Sequence, residues 1–459
     1  ALFAVARRAA EDAAEQTGSV GRPVGIGFVA AALFAVHPLL SEAVGYTSAR
    51  SELLVTLFCL LGLLAAQRWL ADGSPRWLLA YLGCFTLAAA SKETAAALPL
   101  VVAVYALCLR RPARPRSFWV TQAIVFVALA LGAFWRVRSY LGAESTGLPR
   151  AATAHLRTEA VIVWRYLALL LWPRGQSLVH PAQSIADPFD PRALVALAAL
   201  LALAAAAWRS RRAAPLVFLG AAWFFAALAP SSLVPLVELM SEHRIYLPAA
   251  GAFLAVAAAW ALLERRAGSA ARAVFSLVLV ALTLVTVARN RVWATPVSLW
   301  SDAVAKAPRT WAPRYALADA LRAQEGCPAA VPVYREALLL APGDAATLTN
   351  LGTCLAMMRR YGEAEAALSQ ALEQDPRSAD VLNNLGQIAR LTGRAGLARS
   401  RFAAALASDP RNSAVRINLA ALEKSEGHGE EARRLCREAL EIAPQLEEAR
   451  ACAARLGVQ

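Results

Sequence analysis

Three observations predict an all-α fold in two parts: long apolar runs, basic residues confined to the gaps between them, and a proline recurring every 34 residues. The apolar runs occupy residues 1–288 and are about 14–22 residues long, close to the roughly 20 that a helix needs to cross a bilayer. Pro308, Pro342, Pro376, Pro410 and Pro444 carry the 34-residue period. A period of that length marks stacked helical hairpins, because each unit must bury its apolar face on a neighbour. The expected organisation is a multi-span membrane domain over 1–291, with about nine complete spans and the end of one more, followed by a solenoid over 292–459.

Composition supports the membrane half. Of 459 residues, 58% are hydrophobic, whereas an ordinary soluble domain holds roughly 45–50%. The formal charge of +14 would suit nucleic acid, but most arginines of the first half lie in short loops between apolar runs. That is the pattern of cytoplasmic loops and not of a phosphate-binding groove, so no nucleic-acid partner is expected. Lys92, Lys306 and Lys424 are the only lysines; with the excess of Ala, this points to a GC-rich bacterial genome. Cys59, Cys84 and Cys108 fall in apolar runs, where thiols pack. Cys327, Cys354, Cys436 and Cys452 are expected as packed thiols, with Cys327 and Cys354 the pair that an oxidising compartment would join. Ala1–Val5 followed by Arg7 and Arg8 lacks a signal peptide's order and reads as the end of a helix that begins upstream.

Candidate spans lie at 23–41, 52–71, 76–92, 94–109, 117–138, 191–208, 213–231, 245–263 and 271–288. Placing Arg7, Arg8, Arg22, Arg68, Arg76, Arg110, Arg111, Arg114 and Arg116 inside puts His37–Glu52, Lys92–Glu93 and 139–190 outside. Ala160–Trp172 carries Arg165 at its centre, a costly residue at bilayer depth, and is expected to be re-entrant or interfacial. Arg209, Arg211, Arg212, Arg265, Arg266 and Arg272 then also fall inside, and the solenoid outside. Polar clusters that interrupt the apolar sequence converge on the outer surface: His37 to Glu42, Arg50 to Glu52, Lys92-Glu93, Arg136 to Arg138, and Glu242 to Tyr246.

In the solenoid, Leu317, Leu351, Leu385 and Leu419 recur at the period, each followed by a small residue: Ala318, Gly352, Gly386 and Ala420. Ala330, Ala364, Ala398 and Ala432 keep the same phase, as do Ala337, Ala371, Ala405 and Ala439. Small residues let paired helices approach, and Pro stops the second helix. This is the tetratricopeptide pattern, with a half repeat at 293–308, four repeats over 309–444 and a closing helix at 445–459. Asn350, Asn384 and Asn418 recur as well. They either hydrogen-bond an extended peptide in the concave groove or polarise the repeat without a ligand.

The outer polar residues suggest two chemistries. Lys92, beside Glu93, either holds a phosphate as a compact point charge or pairs with Glu93 to fix a hairpin. Arg244 offers a bidentate clamp for phosphate and His243 a donor to phosphate or sugar oxygen; the alternative is an interfacial belt with Glu242 and Tyr246. His37, Glu42 and Glu52 match no metal-ligand motif. Asp187 and Asp190, next to Pro188 and Pro191, are expected to form turns. Glycine-rich phosphate loops and nucleophile elbows are absent from the sequence. An enzyme using a lipid-phosphate carrier and a non-catalytic anchored scaffold both fit these residues.

The segments AVHPLLSEAVGYTSARSELLVTLF (36–58), SKETAAALPLVV (91–102), RSYLG (138–142), LLLWP (169–173) and SEHRIYLPAAG (241–251), followed by this repeat, resemble the transmembrane and tetratricopeptide repeat-containing O-mannosyltransferases and their bacterial relatives. That family is similar to integral-membrane glycosyltransferases of the GT-C class. The resemblance implies transfer of a sugar, mannose first, from a polyprenyl-phosphate donor to Ser or Thr of an extracytoplasmic protein at the bacterial inner membrane. It implies no tightly bound cofactor and no divalent metal. It places Lys92, Arg244 and His243 on the donor phosphate, and His37, Glu42, Arg50, Glu52, Glu93, Arg138, Glu242 and Tyr246 in or around the pocket. The family's acidic residue of the first outer loop, its general base, has no counterpart here and is expected upstream of residue 1, so this chain alone is expected to be inactive. The alternatives are transfer of a lipid-linked oligosaccharide and a scaffold for envelope protein or polysaccharide assembly.

Overall fold

The computed structural model describes residues 1–18, 22–143, 152–181, 184–233 and 238–457, with the side chains of 133–143, 152 and 233 outside that description. All regular elements among the described residues are helices. The chain divides into two compact units, Ala1–Ala294 and Thr295–Gln459, a division three residues beyond the expected boundary at 291.

The first unit contains α1 (Leu2–Thr17), α2 (Pro23–Val36), α3 (Ser41–Gly45), α4 (Arg50–Asp72), α5 (Pro75–Ser91), α6 (Ala97–Cys108), α7 (Pro115–Ala143), α8 (Ala152–Leu171), α9 (Pro191–Ser210), α10 (Pro215–Leu233) and α11 (Tyr246–Val292). Helix starts are written in proline: Pro23, Pro75 and Pro191 occupy the first turn of their helices, where a missing N–H costs nothing. Gly73 ends α4 in the left-handed conformation, φ 65°, which favours glycine. Five helices among the described residues have the length and apolarity to cross a membrane, or six if α2 and the segment Pro38–Gly45, bent by 57°, are one span. The protein is a multi-pass membrane protein.

Two ends of this unit are distinguishable. At the basic end, Ala113 N–H donates to Leu70 O at 3.0 Å, Arg110 pairs with Asp12 at 2.6 Å, and Trp208 meets Phe218 at 5.8 Å. The opposite end carries His37, Glu42, Lys92 and Glu242. Helix α8 is 20 residues long, longer than the thirteen-residue stretch 160–172 read from sequence, so shortness does not exclude it as a span. Its partners decide. His155, near its start, bonds Ser232 O at 2.9 Å; Tyr166 donates to Ser241 O at 2.8 Å; Leu170 O, near its finish, meets His37 Nε2 at 3.1 Å. Ser232 closes α10 and His37 closes α2, both at the polar end, so α8 lies across that end instead of passing through.

The segments 245–263 and 271–288 are joined as α11, which breaks at Gly268 (φ 55°, ψ −121°). The break is a reversal. Trp260 and Phe275 have ring centroids 5.3 Å apart, whereas fifteen residues of straight helix would separate them by about 22 Å. Tyr246 packs on Phe34 at 5.0 Å while Thr286 donates to Val36 O at 2.5 Å, so both arms of α11 run beside α2. Arm one crosses α10 at two glycines: a Cβ on Gly220 would lie 2.5 Å from Gly251 O, and one on Gly251 2.7 Å from Gly220 O. Trp293 then lies against Gly45 of α3, returning the chain to the polar end.

The second unit comprises α12 (Pro296–Lys306), α13 (Trp311–Gln324), α14 (Cys327–Leu340), α15 (Ala345–Met357), α16 (Tyr361–Gln374), α17 (Ala379–Leu391), α18 (Ala395–Ser408), α19 (Ser413–Ser425), α20 (Gly429–Ile442) and α21 (Glu447–Arg455). It is a tetratricopeptide solenoid. The period has a packing cause: Ala330, Ala364, Ala398 and Ala432 are fully buried, and a Cβ on Gly352 or Gly386 would fall 2.6 Å from Leu368 or 2.7 Å from Phe402. Asp344, Ser378 and Asn412 cap α15, α17 and α19 with side-chain acceptors, so a polar N-cap recurs at the same period. The four solenoid cysteines are not isolated thiols: Cys327 is joined to Cys354 and Cys436 to Cys452. Between α18 and α19, the Arg399 guanidinium, with lesser help from His428, holds the Glu423 carboxyl below its ordinary range.

Gly393 and Gly427 take left-handed turns, and Arg359, at the same phase, takes one too with φ 62°. A side chain there is strained, so Arg359→Gly is expected to stabilise the solenoid by about 0.5–1 kcal/mol, read as a higher urea midpoint. Gly220→Val is expected to force α10 and α11 apart, seen as loss of folded, monodisperse protein in detergent.

Candidate functional site

Four separate stretches meet at the polar end of the membrane unit. Pro38 cannot continue α2, and the bend turns α3 so that Glu42 points inward. α4 presents Glu52 in its first turn. The chain leaves α5 at Ser91 with Lys92 in extended backbone. Finally, the turn Glu242–Ile245 precedes α11. Glu42, Glu52 and Glu242 are each only 1% exposed, a burial that an apolar bundle tolerates only when charge is paired or hydrogen-bonded.

The pairs are specific. Glu42 Oε1 meets His243 Nδ1 at 2.6 Å. Lys92 Nζ donates to Glu52 Oε1 at 2.6 Å, so its partner is Glu52 from another helix and not its neighbour Glu93, which is exposed. Glu242 Oε1 accepts from Ser177 N–H at 2.7 Å and meets His180 Nε2 at 2.9 Å, tying in the stretch after α8. Glu242 also repels Glu42, and Glu52 attracts His243. Each of these three carboxylates keeps a second, buried oxygen without a partner: Glu42 Oε2, Glu52 Oε2 and Glu242 Oε2. Each of these oxygens can accept a proton or a hydrogen-bond donor.

The remaining residues singled out from the sequence are placed differently. Arg244 donates to Glu238 O at 2.9 Å and approaches Leu239 O at 3.5 Å, so its guanidinium grips the preceding backbone. His37 accepts from Leu39 N–H at Nδ1, which makes Nε2 the protonated nitrogen that donates to Leu170 O. Tyr246 packs by its ring on Phe34, Arg50 is exposed at the start of α4, and the Arg138 side chain lies outside the described residues. Asp187 and Asp190 accept from Phe189 and Arg192 N–H groups as turn and cap residues. Nothing in the sequence but a lone His in a polar loop signals His180 and Ser177. Among the described residues, no group of His, Cys, Asp or Glu has a metal-binding arrangement.

In the solenoid each period asparagine reaches back to the preceding repeat. Asn350 donates to Tyr315 and Asp319, both at 3.1 Å; Asn384 donates to Thr353 at 3.1 Å; Asn418 donates to Asn383 at 2.9 Å. The amides thus form a ladder between repeats, with their nitrogens already engaged.

The tetratricopeptide repeat family model matches residues 328–388 and 389–456. Protein O-mannosyl-transferase TMTC1 of Homo sapiens is 28% identical over 391 residues, covering 72% of this chain and 44% of that protein. Protein O-mannosyl-transferase Tmtc3 of Drosophila melanogaster is 26% identical over 421 residues, covering 78% of this chain and 45% of that protein. The chain therefore spans less than half the length of the curated relatives it matches. Among solved structures, a thermophilic tetratricopeptide protein of Thermus thermophilus is 22% identical, with a TM-score of 0.32, and covers 38% of this chain and 94% of that one.

Removing Lys92 leaves Glu52 buried without its cation. Lys92→Met is expected to cost about 3 kcal/mol, and the double variant Lys92→Met/Glu52→Gln to recover most of it, measured as thermal midpoints in detergent.

Proposed function

We propose that this chain belongs to an integral-membrane glycosyltransferase that moves a sugar, mannose first, from a polyprenyl-phosphate donor to Ser or Thr of a protein held by the repeats. The observation that carries the reading is the convergence of Glu42, Glu52, Lys92, Glu242 and His243, from distant parts of the sequence, at one end of an apolar bundle. Similarity to two proteins named O-mannosyl-transferases favours transfer chemistry over mere anchorage. Lys92 is one-fifth exposed, so its remaining donors can meet a phosphate without breaking the bond to Glu52. Arg244 would act at the same phosphate by fixing the turn that carries His243.

The polar end is read as extracytoplasmic, since the basic loops gather at the other. Two cystines in the solenoid support that side, because disulfides persist in oxidising compartments. The acceptor would lie along the concave face near Asn350, Asn384 and Asn418, using the amide oxygens and the groups around them. The competing reading, a membrane-anchored scaffold, draws on the same ion pairs as braces.

Membranes containing the complete protein, supplied with labelled polyprenyl-phosphate mannose, separate the two. Lys92→Ala and Arg244→Ala are each expected to raise the KM for donor tenfold or more, about 1.4 kcal/mol. Lys92→Met/Glu52→Gln should stay folded yet lose donor use in the same way. A wild type that transfers neither mannose nor a lipid-linked oligosaccharide leaves the scaffold.

A further inference from the structure

Many arginines of the solenoid are matched to a carboxylate: Arg335 and Arg360 to Glu363, Arg394 to Glu365, Arg399 to Glu423, and Arg416 to Glu438. Arg390 differs. It lies in the last turn of α17 and is partly buried. Among the described residues its guanidinium makes no hydrogen bond or ion pair, although Nε is shut off from solvent. A guanidinium taken partly out of water without an anion is unfavourable, and its planar fork suits a carboxylate. Lys424, one 34-residue period further on in α19, is exposed and is also without a partner among the described residues. At the same phase Arg322 is already taken by Asp319 at 3.3 Å, and Ala356 carries no charge. Unanswered cations at this phase therefore fall in the third and fourth repeats, 377–410 and 411–444.

These cations share a face with the amide ladder. Asn383, Gln387 and Arg390, at i, i+4 and i+7, form one strip of α17, and Asn383 accepts from Asn418 of the next repeat. Asn384 and Leu391, seven residues apart, form the strip beside it. The Oδ1 atoms of Asn384 and Asn418 accept no hydrogen bond among the described residues. Leu391 is 51% exposed and Met357, one period earlier, 72%. Nearby carboxylates do not answer the two cations. Asp319 is held by Tyr334 and Asn350, and Glu423 by Arg399 and His428. Asp380 starts α17, about 15 Å along the helix from Arg390, and Glu426, two residues past Lys424, does not face it.

We propose that this face of the third and fourth repeats docks an extended, acidic segment of a partner protein. One carboxylate sits on Arg390, a second three residues along on Lys424, and an apolar side chain against Leu391. The spacing follows from geometry. The bond from Asn418 to Asn383 makes α17 and α19 neighbours, and packed helices lie about 8–10 Å apart. Three residues of extended chain advance about 9–10 Å. Backbone N–H groups of the segment donate to Asn384 and Asn418 Oδ1. Docking requires no sugar transfer, so it applies alike to an acceptor and to the client of a scaffold.

Fluorescence anisotropy on the full chain in nanodiscs tests the docking face. The probe is a labelled Gly-Ser peptide carrying two Glu residues separated by two others, with a Leu beside the first. The wild type is expected to bind it about tenfold more tightly than the same peptide with Gln for Glu, and several-fold more tightly than one with the two Glu adjacent. Arg390→Gln should weaken binding about tenfold, and Lys424→Gln about threefold because that cation is exposed. Arg390→Lys should lose less than Arg390→Gln. Arg390→Glu should lose the acidic peptide and gain one with Lys in place of the first Glu, which a misfolded variant could not do. A helical circular dichroism spectrum and a urea midpoint like the wild type's show that each variant is folded. Equal affinity for the Gln peptide, indifference to the spacing of the two Glu, or binding unchanged by Arg390→Gln overturns the proposal, as does a wild type that binds none of these peptides.

Discussion

Charge buried in an apolar bundle has to be answered by charge, and much of the polar end of this protein is organised by that requirement. Glu42, Glu52 and Glu242 sit where water does not reach. Each draws in a partner from another part of the chain: His243 across some two hundred positions, Lys92 from the corner after α5, and His180 with Ser177 from the stretch after α8. These bonds fix elements that have little local reason to hold their geometry, such as the bend at Pro38 and the short turn ahead of α11. The unpaired oxygen left on each carboxylate shows that the pairing is incomplete. A buried oxygen left unsatisfied costs stability, and it can accept a proton or a hydrogen-bond donor.

Two backbone features bring the ends of the unit into register. Gly268 reverses α11, so a segment that would otherwise read as one very long helix makes two passes and delivers Trp293 back beside α3. Helix α8 lies across the polar end, held at His155, Tyr166 and Leu170. With α8 transverse, the basic loops before α10 and at Gly268 share one end with those after α4 and α6.

In the solenoid, packing and the polar contacts between repeats both follow the 34-residue period. Small residues at each close approach and polar N-caps at each helix start make the repeats stack. The amide ladder of Asn350, Asn384 and Asn418 links successive repeats through its nitrogens. The ladder therefore holds these amides in place at each junction between repeats.

Sequence alone determined the class of fold and the phase of the repeats. It could do so because apolar length, helix-stopping proline and small-residue spacing are local constraints, each satisfied within about 34 residues. Who pairs with whom was a tertiary matter. Lys92 stands next to Glu93 in the chain yet bonds Glu52, and Arg244 turns onto backbone instead of outward. His180 is silent until the loop after α8 folds against Glu242. The cystines likewise required helices to be packed before Cys436 and Cys452 could be matched. Periodicity specifies which face of a helix is buried, but the partner of a buried charge depends on which distant segment shares its depth, and only the folded bundle settles that.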